Sequence, residues 1–467
     1  MTNAALTPVD IDHAHYMALT DPDTAFWALV DKTQVAETLA GGPLLDAFRE
    51  KAGDFARELH ALRFELQPSA VYVNPTERCN LDCTYCYLPG DMRHGGQHMP
   101  EDKLLAALDK LRHYFSTIMP EGRKPRIIFH GSEPLMNQRG VFAAIDAFAD
   151  DFIFGLQTNG TLLDASAIDF LTSRRVSIGL SLDGPEAAVT DLTRRTWGGR
   201  SVHQRVIEAM EALRGYDAWS VITTCTTENL THLTQMVELF HAHEVPTCML
   251  NTVRCTLPDA RGVKPADSDM ARAFIAALDR SHELYLQTGR KLVVANFANI
   301  LISILAPTAR RLMCDISPCG GGRAFFALAA SGDLYPCSEF IGLPDFRGGN
   351  LFESGVEPVL DSDAFRLVTG RDVDSFSPCR DCAIRHFCGS PCPAEAHAMN
   401  GGMDRIGAFC DFYKEQVHYA FRLIADGIAD DYLWDGWDDE TDTIFESDTP
   451  LTDTARTGVA NNGKGAL

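Results

Sequence analysis

Three cysteines, Cys79, Cys83 and Cys86, stand within eight residues in the stretch RCNLDCTYCYL. Their spacings of four and three let one tight loop aim three thiolates at a single centre. Soft thiolates select zinc or iron–sulfur clusters, and such sites usually take four protein ligands. The nearest further donors are His94 and His98, each in a Gly-rich loop. A structural zinc site closes its fourth position, whereas a reactive centre leaves one open. A three-thiolate loop with one position left over is therefore read as a reactive cluster.

A second array lies far downstream. PCRDCAIRHFCGSPCP supplies Cys379, Cys382, Cys388 and Cys392; Cys314, Cys319 and Cys337 precede it and Cys410 follows. C-x2-C pairs also suit a zinc ribbon, which is the competing reading of this region. Cys225, Cys248 and Cys255 fit no such pattern and are read as small buried hydrophobes.

The elements that must hold these residues show in the texture of the chain. Residues 1–68 are expected to form a helical extension, because Leu45, Phe48, Phe55, Leu59 and Leu62 recur at spacings of three, four and seven. From 69 to 260, the runs AVYVN, RIIFH, FIFGLQ, VSIGLSL, SVITTC and TCMLN alternate with amphipathic segments such as PEDKLLAALDKLRHYF, which Pro100 opens. Six such alternations predict an α/β fold, a parallel sheet curved into a partial (β/α)6 TIM-like barrel. Its chemistry belongs at the carboxyl ends of the strands, and the first cysteine loop follows the first strand directly. Residues 261–313 read as a helical connector. Residues 314–424 are rich in Cys, Gly and Pro and need staples other than a large core. Residues 425–467 read as an acidic, disordered tail.

Composition sets the surroundings. A formal net charge of -23 over 467 residues repels phosphate backbones, so nucleic acid is not an expected partner. The first twenty residues lack a basic start and an apolar run, and FANILISILA is too short to span a bilayer. A cytoplasmic protein with reduced thiols and no membrane partner is expected.

C-x3-C-x2-C after a first strand, with Tyr85 between the second and third cysteines, resembles the radical S-adenosylmethionine (SAM) enzymes. In that family the unique iron of a [4Fe–4S] cluster is chelated by SAM, which would supply the missing ligand. The resemblance extends to later strand ends. FHGSEP looks like the family's Gly-Gly-Glu-Pro motif, with Gly131, Glu133 and Pro134 in place and Ser132 replacing the second glycine. It implies that this loop, Glu133 included, accepts hydrogen bonds from the SAM ammonium. Thr158 and Asn159 in QTNG, and Ser181 and Asp183 in SLDGP, match positions that line the SAM site in similar enzymes. Arg194 in DLTRRTWGG matches an arginine that holds the SAM carboxylate, and Leu250 and Asn251 would touch adenine.

The seven downstream cysteines from Cys319 to Cys410 are similar in order and spacing to the SPASM extension of such enzymes, and Cys314 makes eight. By resemblance to the sulfatase-maturing members, Cys314, Cys319, Cys337 and Cys392 would hold one auxiliary [4Fe–4S] cluster. Cys379, Cys382, Cys388 and Cys410 would hold another, giving three clusters in all. The resemblance implies an oxidoreductase-type maturase that abstracts hydrogen from a small ribosomal precursor peptide, with flavodoxin or ferredoxin as electron donor. Formylglycine formation in a sulfatase is the alternative. Sulfatase maturases carry an aspartate base directly after the cysteine equivalent to Cys337; here Ser338 stands there, with Glu339 next as a candidate base. An iron–sulfur electron carrier without SAM chemistry is the remaining alternative.

Overall fold

The structure is a computed structural model and describes residues 6–438. Its N-terminal part is not all helix. It begins with a three-stranded antiparallel sheet of β1 (Thr7–Val9), β2 (Tyr16–Asp21) and β3 (Phe26–Asp31). The cause is local: YMALTD and FWALVD are apolar runs of strand length, and the residues between them turn the chain. Thr24 Oγ1 donates to Asp21 Oδ2 at 2.6 Å, and Ala25 takes φ 55°. The helical periodicity holds from residue 43, where the helix Pro43–Phe64 buries Leu45, Phe48, Leu59 and Leu62.

The six apolar runs become six parallel strands. They are β4 (Ala70–Val73), β5 (Arg126–Phe129), β6 (Ile153–Thr158), β7 (Ser177–Ser181), β8 (Trp219–Cys225) and β9 (Thr247–Thr252). Each pairs in parallel with the next, and helices make the crossovers, as in Glu101–Ile118, which Pro100 precedes as its cap. Beyond β9 the helices Asp267–Thr288 and Ala295–Leu305 follow, and the short β10 (Val293–Val294) between them pairs with β9. Ala295–Leu305 buries nine of its residues, Ala295 and the run Phe297–Ile304, since both its sides are covered.

The cysteine-rich region joins the same sheet from the opposite edge. β11 (Phe325–Leu328) pairs in parallel with β4, and β12 (Asp333–Tyr335) and β13 (Gly349–Asn350) continue antiparallel, completing ten strands. The strand that leads into Cys79 is thus hydrogen-bonded to β11, which in turn pairs with β12, the strand that leads into Cys337.

Part of the expected tail is ordered. Leu433 is fully buried, Trp434 Nε1 donates to Thr247 Oγ1 at 3.1 Å, and Lys291 Nζ donates to the Leu433 carbonyl at 3.2 Å. Apolar residues in DYLWDGW sit among the acids and turn inward, which composition averaged over the segment conceals. The rest of that expectation, residues 439–467, lies outside the described residues. Among the described residues no helix is long and apolar enough to cross a membrane.

Candidate active site

Past β4 the cysteine loop is pinned on two sides. Cys79 N donates to Arg93 O at 2.9 Å, while Asp82 N and Thr84 N donate to Arg195 O and Thr193 O at 2.8 and 3.0 Å. Trp197 Nε1 donates to the Cys79 carbonyl at 2.8 Å. The segment that clamps the loop is therefore the one that carries Arg194.

Arg194 is held in a buried network. Its Nε donates to Asp183 Oδ2 at 2.9 Å, its Nη2 donates to the Tyr85 hydroxyl, and that hydroxyl donates to the same Asp183 oxygen. Asp183 Oδ1 accepts from Thr224 N at 2.9 Å. The guanidinium still borders a cavity of about 360 Å³ at the carboxyl ends of the strands. Cys79, Cys83, Cys86, Tyr85, Gly131, Ser132, Thr158, Asn159 and Ser181 line the same cavity.

Four expected contacts are placed differently, and the first is Asp183, which is fully buried and holds Arg194 from behind. Glu133 is fully buried behind the wall, where its carboxylate accepts from Leu135 N at 3.0 Å, Thr158 Oγ1 at 2.8 Å and Asn159 N at 2.8 Å. It braces β5 against β6 rather than facing the cavity. Pro134 is buried with it, opening a single 3-10 turn. Leu250 also points away, because side chains alternate along β9, and its neighbours Met249 and Asn251 border the cavity instead. Neither His94 nor His98 is among the lining residues. Gly131 has φ 104°, and a Cβ there would lie 2.3 Å from the Asn74 side chain, so this position admits only glycine. Ser132 is accommodated because its hydroxyl donates to the Glu77 carbonyl at 2.5 Å.

The downstream cysteines divide in two. Cys314, Cys319, Cys337 and Cys392 line the cavity that holds the first three thiols; Cys379, Cys382, Cys388 and Cys410 do not. Electrostatics draws the same division. Burial raises Cys79, and the charges of Cys83 and Cys86 raise it further. Burial raises Cys337, with Cys314 and Cys319 adding to it, and Cys392 responds to Cys319. Burial raises Cys388, with Cys410, Cys382 and Cys379 adding, and pushes Cys410 up to about 11, with Cys379 and Cys382 adding. Cys225, Cys248 and Cys255 are fully buried in the core.

Between the two cysteine sets that line the cavity lies a polar wall that sequence reasoning largely missed. Arg254 Nε stands 3.8 Å from Glu339 Oε1, and its Nη1 stands 3.7 Å from Glu395 Oε2. Ser338, Glu339, Tyr413 and Gln416 also border the cavity. Ser338 Oγ, Glu339 Oε2, Arg254 Nη1 and Gln416 Nε2 are buried without a hydrogen-bond partner. Burial pushes Glu339 up to about 7; Arg254 opposes this and Glu395 reinforces it. The available signal was position: Arg254 stands two residues beyond the last barrel strand, where TIM-like folds place functional side chains.

The donor set suits an anionic, polynuclear sulfur-ligated group. Burial pushes the Cys83 thiol up to about 11, opposed by Arg194 and Arg93, and Arg93 also opposes the rise at Cys86. Two buried guanidiniums thus act on Cys83 and Cys86. Among the described residues no three His, Cys, Asp or Glu side chains meet where a single ion could sit. Ligands of one zinc ion converge on a single point, whereas cluster ligands each bind a different iron. Asn159 Nδ2 lies 3.9 Å from Cys79 Sγ and Leu81 N lies 3.4 Å from it, contacts that tune a ligating sulfur.

Comparison with known proteins agrees with this geometry. Residues 73–240 match the family model of the radical SAM superfamily, and residues 319–383 match that of SPASM, an iron–sulfur cluster-binding domain. An uncharacterized protein of Archaeoglobus fulgidus is 38% identical over 406 residues, 87% of this chain and 92% of its own length. The cysteine-type anaerobic sulfatase-maturating enzyme of Clostridium perfringens is 23% identical over 77% of this chain and 98% of its own. Among solved structures, anSMEcpe with bound AdoMet and Cp18Cys peptide has a TM-score of 0.67 at 20% identity, covering 77% of this chain and 99% of that one. Streptococcus suis SuiB bound to precursor peptide SuiA has a TM-score of 0.57 at 12% identity, covering 86% of this chain and 99% of that one. At those identities the two structures attest the fold. The chain belongs to the radical SAM superfamily and carries an iron–sulfur cluster-binding SPASM domain.

Proposed function

We propose that this chain is a maturase of a small ribosomal peptide. When bound, a [4Fe–4S] cluster and SAM supply a 5′-deoxyadenosyl radical that abstracts hydrogen from the peptide, which ends oxidised or cross-linked. Cys79, Cys83 and Cys86 would hold that cluster. Arg194, oriented by Asp183 and Tyr85, would take the SAM carboxylate, for which its planar fork is suited. Gly131 and Ser132 offer backbone to the ammonium, and Asn251 and Met249 border the space left for adenine. The cysteines of the SPASM region would hold two closed auxiliary clusters in the two sets given above.

One observation carries this reading: seven cysteines from two distant segments line a single cavity, with a polar wall between them. A substrate there would sit between a radical source and an electron acceptor. Glu339 borders that space and would be the base that takes a proton released by the substrate. β3 pairs only with β2 among the described residues, and its outer edge offers a strand on which an extended peptide could pair, which suits a precursor with a leader segment. SuiB, bound to its precursor peptide, lends support by its fold. A reducing cytoplasm suits fourteen free cysteines.

Sulfatase maturation is the second reading, favoured by Glu339 in the cavity and by the relatives that carry out that reaction. The decisive experiment is anaerobic. Protein reconstituted with iron and sulfide, reduced and given SAM, is expected to release 5′-deoxyadenosine; none would end the enzyme reading. Mass spectrometry then separates the two substrates. A precursor peptide encoded beside the gene is expected to lose hydrogens, while a sulfatase-derived Cys or Ser peptide stays unchanged; the reverse selects sulfatase maturation.

A further inference from the structure

The two SPASM cysteine sets meet at one buried arginine. Cys388 belongs to the set away from the cavity and Cys392 to the set that lines it, so the bridge Gly389–Ser390–Pro391 joins one ligand of each. Arg371 docks on that bridge: its Nη2 donates to Ser390 Oγ at 3.0 Å. Its other bonds hold the guanidinium still. Nε donates to Met403 O at 2.8 Å and Nη2 to Arg405 O at 2.8 Å, in the loop that leads to Cys410. The Arg371 carbonyl lies 3.4 Å from Ser317 Oγ, in the loop between Cys314 and Cys319. Segments from both sets therefore close around one residue that is 4% exposed and whose side chain has no carboxylate among its hydrogen-bond partners in the described residues.

We propose that Arg371 is the shared counter-charge of the two auxiliary clusters, holding both at raised reduction potential so that one electron can pass between them. This rests on the reading that both sets carry [4Fe–4S] clusters. Gaining an electron makes either cluster more negative, and a buried guanidinium bonded to the segments that carry both sets stabilises the reduced form of each. An electron moving from the cavity-side set to the outer set then stays beside the same positive charge throughout. Arginine suits the place because it stays protonated when buried. Burial lowers its affinity for the proton, and the facing charges of Cys319, Cys379, Cys392 and Cys388, two from each set, oppose that.

The test is an EPR-monitored redox titration of reconstituted full-length protein, wild type beside Arg371→Gln and Arg371→Lys. For R371Q with full iron content, both auxiliary midpoints are expected to fall by at least tenfold in the reduction equilibrium, about 59 mV for one electron. The SAM-binding cluster serves as internal control and should not move. R371K keeps the charge and is expected to stay within that tenfold. Full iron in R371Q with neither or only one auxiliary midpoint shifted overturns the proposal. If R371Q loses iron, R371K decides: near-wild-type midpoints support it, and iron loss or a full shift there makes Arg371 a structural brace only. Wild-type protein lacking two auxiliary signals would instead remove the cluster reading, and the proposal with it.

Discussion

The barrel and the SPASM region contribute cysteines to one cavity, yet they are built by different means. From β4 to β9 each strand pairs with the next, and apolar side chains such as Val71, Ile127, Leu156, Ile178, Val221 and Leu250 fill a continuous core. Between residues 313 and 409 no helix or strand exceeds eight residues. Regular elements satisfy their own backbone, whereas short irregular ones rely on packing and on ligands. The barrel should therefore keep its shape when its cysteines are removed, and the SPASM region should not.

The largest expected effect tests that contrast. Replacing Cys79, Cys83 and Cys86 with Ala together should abolish 5′-deoxyadenosine release and lower iron by one cluster's worth, with far-ultraviolet circular dichroism nearly unchanged. Replacing Cys379, Cys382, Cys388 and Cys410 should also remove one cluster's worth of iron. In that variant hydrogen exchange is expected to rise across residues 371–410 while β4–β9 stay protected. Equal loosening of both regions in either variant would erase the distinction between them.

Next in size is the network behind the first loop. Asp183 is fully buried and neutralises Arg194, so Asp183→Asn leaves a guanidinium without its counter-charge. Losing one partner of a buried pair costs about 3 kcal/mol. SAM binding by equilibrium dialysis should weaken at least tenfold, since the fork that would receive the carboxylate loses its orientation. Unchanged affinity would mean that Arg194 does not contact SAM.

Glu133→Gln should do less. Glu133 accepts three hydrogen bonds behind the wall, and a carboxamide oxygen can keep part of them. The expected loss is about 1 kcal/mol of stability, with SAM cleavage retained in a melting curve and product assay run side by side. Loss of SAM binding without loss of stability would restore the direct role that the motif suggested.

These residues also mark what the sequence could and could not tell. The six strands were readable because their apolar runs are short, regular and separated by amphipathic helices. The first trio is legible from its spacing, but the division of the other eight cysteines came from resemblance to sulfatase-maturing enzymes, because spacing alone puts Cys392 with Cys379, Cys382 and Cys388. Residues 7–31 were misjudged because a hairpin of two six-residue strands was masked by the stronger helical period that follows. Glu133 and Leu250 were assigned to the cavity by position in a motif, but their direction depends on strand pleat and on what lies behind. Arg254, Glu395 and Arg371 carry no motif. Burial next to sulfur is what singles them out, and that is a property of the folded chain.

The smallest effect concerns how the two regions are tied to the N-terminal extension. Arg63, at the end of the helix Pro43–Phe64, donates to Asp374 Oδ2 at 2.9 Å, to Asp372 Oδ1 at 2.5 Å and to the Ser317 carbonyl at 2.6 Å. Arg385 joins Asp374 to Asp23 in the β2–β3 turn, with both contacts at 2.5 Å. Helix end and hairpin turn thus converge on the SPASM region through one carboxylate. Burial alone would raise Asp374, but His386, Arg385 and Arg63 hold it well below the usual carboxylate range. A carboxyl lowered in the folded state contributes stability above its unfolded value and loses it only as pH falls through the folded one. Asp374 itself is therefore ionised from pH 5 upward, and its contribution is constant from pH 7 upward, where His386, lowered by burial, no longer changes charge. Asp374→Asn should cost about 1 kcal/mol, because the group is partly solvated. Limited proteolysis should then cut within residues 22–42 sooner than in wild type, by the same factor at pH 7.5 and pH 9. A factor that grows with pH would point to a different titrating group, and no change in cutting would show that the extension is held by its apolar face alone.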